Sequence, residues 1–140
     1  MKQRWSKILL LAGVVCILML TGCKGKPLPE GMDEAALIEQ GREVVTMLNQ
    51  GQWQEIYDQM RQDGQETTSP EQIEAYIQTL LDKVGAYIKE RDTMATGQKL
   101  DTGEEYGTAV IYCKHEKKDV LYRIAFSTDM ELMGIEATKK

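Results

Sequence analysis

Residues that commonly carry catalysis or metal binding are scarce in this sequence, which has one histidine and three cysteines. No Asp-His or Ser-His pattern accompanies His115, so no catalytic set is evident around it. Cys113 and His115 are the only Cys and His residues after residue 23, whereas a closed zinc site usually takes four protein ligands. We therefore expect no metal and no cofactor.

The sequence also lacks an apolar run long enough to span a bilayer. Residues 8–20 are all apolar or Gly, but a membrane-spanning helix takes about 20 such residues. Lys2, Arg4 and Lys7 precede this run. A basic start followed by a short apolar core is the order found in secretory signals, so we predict export.

The residues that follow the apolar run resemble a bacterial lipobox, Leu20-Thr21-Gly22-Cys23. The resemblance implies cleavage after residue 22 and transfer of a diacylglyceryl group to the nucleophilic thiol of Cys23. We predict a signal peptide over residues 1–22 and lipid anchoring at the extracytoplasmic face of the bacterial cytoplasmic membrane. The alternative is an uncleaved anchor helix with an incidental Cys. Whether the cell has one membrane or two stays open.

Positive charge is scarce in the part that cleavage would leave. All 22 acidic residues but only 14 of the 17 Lys and Arg residues follow residue 22, which gives this part a formal charge of −8. Its basic residues form no cluster, so phosphate backbones and anionic lipid headgroups would find few contacts. The charge argues against a nucleic-acid partner and is typical of a solvated surface.

A segment rich in Gly and Pro follows the predicted lipidation site. Residues 24–32 contain two Gly and two Pro in nine residues, a composition typical of a linker. Fully extended at ~3.3 Å per residue, such a linker would reach about 30 Å from the membrane. We predict a lipidated tether over residues 23–32 and a single folded domain over residues 33–140.

The first half of that domain has helical periodicity. Asp33 is a candidate N-cap for a first helix that Gly51 would end, and residues 53–60 predict a shorter second helix. The polar residues 62–68 predict a loop. A third helix is predicted over residues 69–88, because Ser at the N-cap, Pro at the first helical position and an apolar stripe favour it.

The second half alternates with a period of two and is rich in β-branched and aromatic residues. Four strands are predicted, at about residues 93–100, 106–115, 120–127 and 132–138. The short gaps predict successive hairpins and therefore an antiparallel meander.

A register for the central hairpin follows if Lys117-Lys118 forms a two-residue turn. Cys113 then lies opposite Tyr122, in line with two further pairs on the same face, Ile111 with Ile124 and Ala109 with Phe126. This face is apolar, so the helices should cover it. The opposite face mixes polar residues with Val110, Tyr112 and Leu121.

Three helices followed by a curved antiparallel meander resemble the cone-shaped nuclear transport factor 2-like (cystatin-like) fold. More narrowly, residues 35–135 resemble a family of small bacterial proteins known as domain of unknown function 3887. The motifs that carry this resemblance are Leu48-Asn49-Gln50-Gly51-Gln52-Trp53, Leu81-Asp82-Lys83-Val84-Gly85 and the closing residues 124–135. The resemblance implies the fold but no activity, because related families include enzymes, ligand binders and accessory domains.

Each candidate functional residue has two interpretations. His115 is either a general base in a pocket or, as we favour, a partly exposed hairpin residue. Cys113 is either a reactive thiol or, as we favour, a small buried apolar residue. Five aromatic residues would line a ligand cavity between helices and sheet, or else fill the core: Trp53, Tyr57, Tyr76, Tyr122 and Phe126.

We therefore expect a membrane-anchored lipoprotein whose domain is a non-catalytic module that binds an envelope protein or a small ligand. Two alternatives stay open. One is a small pocket enzyme that uses His115 or a buried acid. The other is a structural module that forms a homodimer through the partly apolar outer face of the sheet.

Overall fold

The structure of the chain is a computed structural model, and it describes residues 25–140. The predicted signal peptide and Cys23 lie outside the described residues. The described part has four helices followed by four strands: α1 (Glu34–Gln50), α2 (Trp53–Gln59), α3 (Gln62–Thr67), α4 (Pro70–Val84), β1 (Tyr87–Lys99), β2 (Glu105–His115), β3 (Val120–Ser127) and β4 (Leu132–Lys139). This order confirms the predicted α+β class, with helices first and an antiparallel sheet second.

Both long helices begin at the predicted caps. The Asp33 carboxylate accepts a hydrogen bond from the Ala36 N–H at 2.9 Å, and Gly51 ends α1 in the left-handed region with φ of 73°. At the start of α4, the Ser69 hydroxyl accepts from the Gln72 N–H at 3.2 Å. The buried face of α1 matches the predicted apolar spacing and consists of Leu37, Gly41, Val44, Val45 and Leu48.

The loop predicted at residues 62–68 is wrong, because the short helix α3 lies there. None of its residues is buried, so no apolar periodicity could reveal it. Polar contacts stabilise its turn instead. The Arg61 guanidinium binds the Asp63 carboxylate at 2.8 Å, and the Thr67 hydroxyl donates to the Gly64 carbonyl at 3.1 Å.

The prediction that the third helix continues to Ile88 is also wrong. This helix, α4, ends at Val84, and Gly85 follows with φ of 81° while its N–H donates to the Leu81 carbonyl at 2.8 Å. Ile88 belongs to β1 and is 49% exposed, so its helical spacing from Val84 is coincidental. Residues 89–92 are all charged, which concealed the first half of β1.

The four strands form one antiparallel sheet in sequence order. The proposed register between β2 and β3 is wrong by two residues, since Cys113 lies opposite Val120 and Ile111 lies opposite Tyr122. Because side chains alternate with a period of two, this even offset leaves the same residues facing the helices.

The loop between β2 and β3 is longer than the predicted two-residue turn because it is hydrogen-bonded to the end of α4. The Glu116 N–H donates to the Ala86 carbonyl at 3.0 Å, and the Lys117 N–H donates to the Val84 carbonyl at 2.8 Å. In return, the Glu116 carboxylate accepts from the Ala86 N–H at 2.7 Å. These bonds hold the loop against the end of α4, and a Lys-Lys pair is in any case disfavoured in a tight two-residue turn.

The helices cover one face of the sheet, and the core lies between them. α1 approaches β2 closely at Gly41, where an added Cβ would lie 2.6 Å from the Ala109 Cβ. The largest buried side chains of the sheet, Tyr122 and Phe126, both lie on β3 and belong to the same core as Leu37 and Leu48 of α1. This packing brings α1 alongside the polar groups described next.

Candidate functional site

His115 is buried, with 2% of its surface exposed, so the expectation of a partly exposed hairpin residue is wrong. It is the last residue of β2 and lies opposite Tyr87 of β1, beyond the last β2–β3 pair. The Tyr87 and His115 rings meet edge to face with centroids 5.7 Å apart. Tyr87 of β1 and the end of α4 at Gly85 thus bury His115.

Both ring nitrogens of His115 are hydrogen-bonded inside the protein. The Gly85 carbonyl oxygen lies 2.9 Å from Nδ1 and can only accept, so Nδ1 carries a proton. The Tyr122 hydroxyl lies 2.9 Å from Nε2 and donates to its lone pair. The tautomer follows from this donor and acceptor pattern.

Asn49 of α1 completes the arrangement. Its Nδ2 donates to the Tyr122 hydroxyl oxygen at 3.2 Å and to the Val45 carbonyl at 2.9 Å. We call Asn49, Tyr122, His115 and the Gly85 carbonyl the His115 network, which joins α1, β3, β2 and the end of α4. Burial raises the pKa of Tyr122 to about 12, so its hydroxyl keeps the proton that it donates.

Cys113 lies on the same face of β2 and is fully buried, as predicted. Burial is the main cause that raises the pKa of its thiol to about 12, and the nearby Glu90 charge adds to it. A thiol with such a pKa carries almost no thiolate at neutral pH, and thiolate is the nucleophilic form. The structure therefore places Cys113 among the packing residues of the core.

The five predicted aromatic residues divide between the core and the surface. Tyr122 and Phe126 are in the core, and Trp53 and Tyr57 are half-buried against it. Tyr76 is 48% exposed, and its hydroxyl bonds the backbone of Ala137, donating to the carbonyl at 3.2 Å and accepting from the N–H at 3.1 Å. Tyr76 lines a separate surface pocket of about 360 Å³ beside β4. A ligand cavity lined by all five stays a prediction.

A surface pocket of about 340 Å³ lies where α1 passes the start of β1, and we call it the α1–β1 cleft. Its lining comes from α1 and from the residues that follow α4: Val45, Thr46, Asn49, Gln50, Ala86 and Tyr87. All six side chains are uncharged, although 28% of the residues in the chain are charged. Burial, followed by the neighbouring Cys113 and Glu90, raises the pKa of Tyr87, so its phenol is also neutral.

A smaller pocket of about 140 Å³ continues the cleft along α1 and shares Val45, Thr46 and Tyr87 with it. Arg42 and Glu90 line this pocket and form a two-pronged ion pair, with Nε–Oε1 at 2.8 Å and Nη2–Oε2 at 3.1 Å. The hydrogen bonds to Glu90 raise the pKa of Arg42 further above its ordinary value. This pair links α1 to β1 at the end of the cleft remote from Asn49 and Gln50.

The chemical groups available at the cleft are suited to hydrogen bonding. Its polar groups are amides, a hydroxyl and a protonated phenol, which donate and accept hydrogen bonds without changing charge at neutral pH. The candidate nucleophile Cys113 and the candidate base His115 are both buried behind it. Within residues 25–140, no group of three or more His, Cys, Asp or Glu side chains is arranged to hold a metal ion.

The sequence analysis predicted none of the six cleft residues as site residues, and Asn49 is the one for which the sequence contained a signal. It lies in both the His115 network and the cleft lining. A signal was present, since Asn49 follows the core residue Leu48 and stands four positions after the buried Val45. A polar residue beside a buried helical stripe needs a partner inside, and here that partner is Tyr122.

Fold and site together define a small α+β domain with a surface cleft lined by uncharged side chains. The chain belongs to the family described as "Protein of unknown function (DUF3887)", whose model matches residues 41–135 and confirms that resemblance. An NMR structure of a protein from Ruminococcus gnavus ATCC 29149 is similar, with a TM-score of 0.68, 26% identity and coverage of 79% of this chain and 96% of that chain. No curated protein matches.

Proposed function

We propose that the chain is a lipid-anchored extracytoplasmic lipoprotein whose domain binds an uncharged ligand, or an uncharged segment of an envelope protein, in the α1–β1 cleft. The observation that carries the binding proposal is the lining of that cleft, which is uncharged in an otherwise highly charged chain. An ionic ligand would lose hydration there without gaining a counter-charge, whereas an uncharged ligand would not.

The His115 network prepares the cleft for binding. Asn49 is held from two sides, by the Val45 carbonyl and by the Tyr122 hydroxyl. A side chain fixed in this way loses little conformational freedom when a ligand bonds to it, and preorganisation of this kind favours affinity. In this proposal His115 is a positioning residue that acts through Tyr122 and Asn49, and it touches no ligand.

The proposal of a non-catalytic role rests on the burial of His115 and Cys113. A general base must reach the proton that it removes, directly or through one water. His115 is 2% exposed and its Nε2 already accepts from Tyr122, while Cys113 is fully buried as a neutral thiol. A small pocket enzyme that uses His115 would have to break this network before each reaction.

Anchoring at Cys23 and the nuclear transport factor 2-like fold class complete the proposal. Helices packed on one face of a four-stranded antiparallel sheet are consistent with that class. None of the helices within residues 25–140 is both long and apolar enough to cross a bilayer. The proposed means of membrane attachment is the lipid on Cys23.

A homodimer through the outer face of the sheet stays a prediction alongside this proposal. Met94 is 39% exposed on that face and lies opposite Val110 in the register. Purely monomeric sedimentation of the folded protein over a wide concentration range would contradict this dimer.

The experiment that tests the cleft uses a blocking substitution and a matched control on the same helix. Thr46 lines the α1–β1 cleft and the smaller pocket next to it and is exposed, so Thr46→Trp would fill the cleft, whereas the exposed Glu43 lines neither pocket. Lipidated wild type, Thr46→Trp and Glu43→Trp would each capture molecules from detergent-solubilised envelopes of the producing cells. Quantitative mass spectrometry would compare the captured sets, and thermal melts would confirm that each variant folds.

We expect wild type and Glu43→Trp to retain the same set, and Thr46→Trp to lose at least one member that both retain. The same set on all three baits would contradict binding in the α1–β1 cleft. Loss from both Trp variants would show a general effect of the bulky side chain and would also count against the cleft.

A further inference from the structure

The residues predicted to form a free tether are packed on the domain. The Lys26 N–H donates to the Thr96 hydroxyl at 3.1 Å, and the Gly97 N–H of β1 donates to the Lys26 carbonyl at 3.0 Å. Pro29 is buried, and Leu28 is half-buried against the core. We call residues 25–32 the docked segment, because it joins the edge strand β1 instead of leaving it.

Two glycines that lie opposite each other in the sheet make room for the docked segment. A Cβ added to Gly97 would lie 1.9 Å from the Pro27 carbonyl oxygen, which no side chain could occupy without moving that backbone. On the neighbouring strand, a Cβ added to Gly107 would lie 2.9 Å from the Met32 Cε. Gly97 is thus a site of close backbone approach, whereas Gly107 leaves room for the side chain of Met32.

Docking shortens the connection between the domain and the predicted lipid. A Cβ added to Gly25 would lie 3.3 Å from the Ala95 carbonyl oxygen, so the segment already touches β1 at its first described residue. Only two residues of chain length separate Gly25 from Cys23, and this length reaches at most about 7 Å. The reach of about 30 Å expected from the sequence assumed that all of residues 24–32 were free.

We propose that the lipid anchor holds the domain directly against the membrane, with the end of the sheet that contains residues 94–97 of β1 facing the bilayer. This inference rests on the proposed lipidation of Cys23 and commits to a lipid surface as the partner of that end of the sheet. In this proposal the short connection fixes the orientation. Charge does not, because Lys26 and Glu30 of the docked segment and the neighbouring Lys99 and Glu105 offset one another.

The opposite end of the sheet then points away from the membrane. The loop between β2 and β3 is bonded to Ala86, next to the start of β1. Eight residues separate Ala95 from Tyr87, and at ~3.3 Å per residue this places the loop up to about 26 Å from the docked end of the sheet. The α1–β1 cleft, lined by Ala86 and Tyr87, shares this distal position.

The test measures the height of two positions above the bilayer. Met94→Cys and Lys118→Cys, made singly in the full chain, carry a donor dye; Met94 and Lys118 are exposed, whereas native Cys113 is buried and does not label. The lipidated proteins are reconstituted into phosphatidylcholine–phosphatidylglycerol vesicles with an acceptor dye on a lipid headgroup. We expect markedly stronger energy transfer from position 94 than from position 118.

Gly97→Ala should release the segment, and Gly134→Ala is the matched control because an added Cβ on Gly134 of β4 meets nothing within 4 Å. A released linker of ten residues behaves as a flexible coil, so the ratio of the two transfer efficiencies should fall to about one in Gly97→Ala. Gly134→Ala should keep the wild-type ratio. Equal transfer from both positions in the lipidated wild type would overturn the inference.

Hydrogen exchange supplies a readout that needs no variant. The Gly97 N–H donates to the Lys26 carbonyl of the docked segment, so this amide should exchange slowly in the wild-type protein. Rapid exchange would overturn docking while leaving lipidation intact. A protein that carries no lipid and shows no transfer at either position would overturn the proposed function and this inference together. The two failures are therefore distinguishable.

Discussion

At the scale of single residues, the His115 network explains how a lone histidine is accommodated in the core. The Nδ1–H of His115 donates to the Gly85 carbonyl, and Nε2 accepts from the Tyr122 hydroxyl. A buried polar group is costly only when it lacks such partners. Truncation of His115 to Ala should therefore destabilise the fold, because it would strand both partners and leave a cavity.

Removal of the Tyr122 hydroxyl alone is the cleaner test of the network. Tyr122→Phe keeps the buried ring but leaves His115 Nε2 and one Asn49 donor without their partner, which should cost about 1–3 kcal/mol. Tyr106→Phe, on the other face of the sheet, is the control and should change stability by less. Urea denaturation measures both. Equal stability of Tyr122→Phe and wild type would show that the network does not hold the core.

The raised pKa of the Cys113 thiol should make the free energy of unfolding depend on pH in the alkaline range. The pKa of its thiol rises from 9.0 to about 12 on folding, so above pH 9 the unfolded thiol loses a proton that the folded thiol keeps. The unfolded state then binds fewer protons, and the free energy of unfolding falls as the pH rises from about 9 towards 12. The raised pKa of Tyr122 also lowers the free energy of unfolding as the pH rises above 10.0, the ordinary pKa of a tyrosine.

The control for this prediction is Cys113→Ala, which removes the thiol and retains Tyr122. Urea denaturation at pH 8, 9 and 10 should show a steeper loss of stability in the wild type than in Cys113→Ala, because only the wild type has the buried thiol. Parallel curves would contradict the pKa of about 12. Rapid alkylation of the folded wild type at pH 8 would contradict it as well.

At the scale of elements, α1 carries most of the site, since it supplies Asn49 and the longest wall of the cleft. Its end is fixed by Gly51, whose φ of 73° suits glycine and, less well, asparagine. Gly51→Ala should cost about 1 kcal/mol, and Gly51→Asn should cost less. Thermal melts of the two variants measure the difference. Equal melting temperatures would show that the left-handed cap does not limit the stability of α1.

Elements with a regular apolar pattern or a strong cap were predictable from sequence. The start and end of α1, the start of α4 and the span of β3 all agree with the structure. The failures have physical causes. α3 buries no side chain, the first half of β1 is charged, and the β2–β3 register depends on bonds to the distant residues Val84 and Ala86.

The candidate site was less predictable than the fold for the same reason. The buried position of His115 requires the end of α4 to lie against β2, which is a contact between residues thirty positions apart. Local periodicity placed His115 on the apolar side of the sheet but did not show what covers it. The cleft likewise combines residues of α1 with Ala86 and Tyr87, which no local pattern connects.

At the scale of the whole molecule, the docked segment connects the proposed lipid anchor to the domain that carries the α1–β1 cleft. The close packing of residues 25–32 on β1 would tie the orientation of the domain to the position of the proposed lipid. The cleft would then face away from the bilayer, where envelope ligands and partners approach. The signal peptide over residues 1–22 stays a prediction, whereas residues 25–32 of the predicted tether pack on the domain.

The most direct test of the account is the mass of the chain purified from the membrane fraction of its own cells. We predict a mature protein that begins at Cys23 and carries a thioether-linked diacylglyceryl group, since two acyl chains hold a protein firmly on a bilayer. Cys23→Ala should appear unlipidated, either as precursor or outside the membrane fraction. A membrane-bound wild-type chain that still begins at Met1 with an unmodified Cys23 would contradict the account.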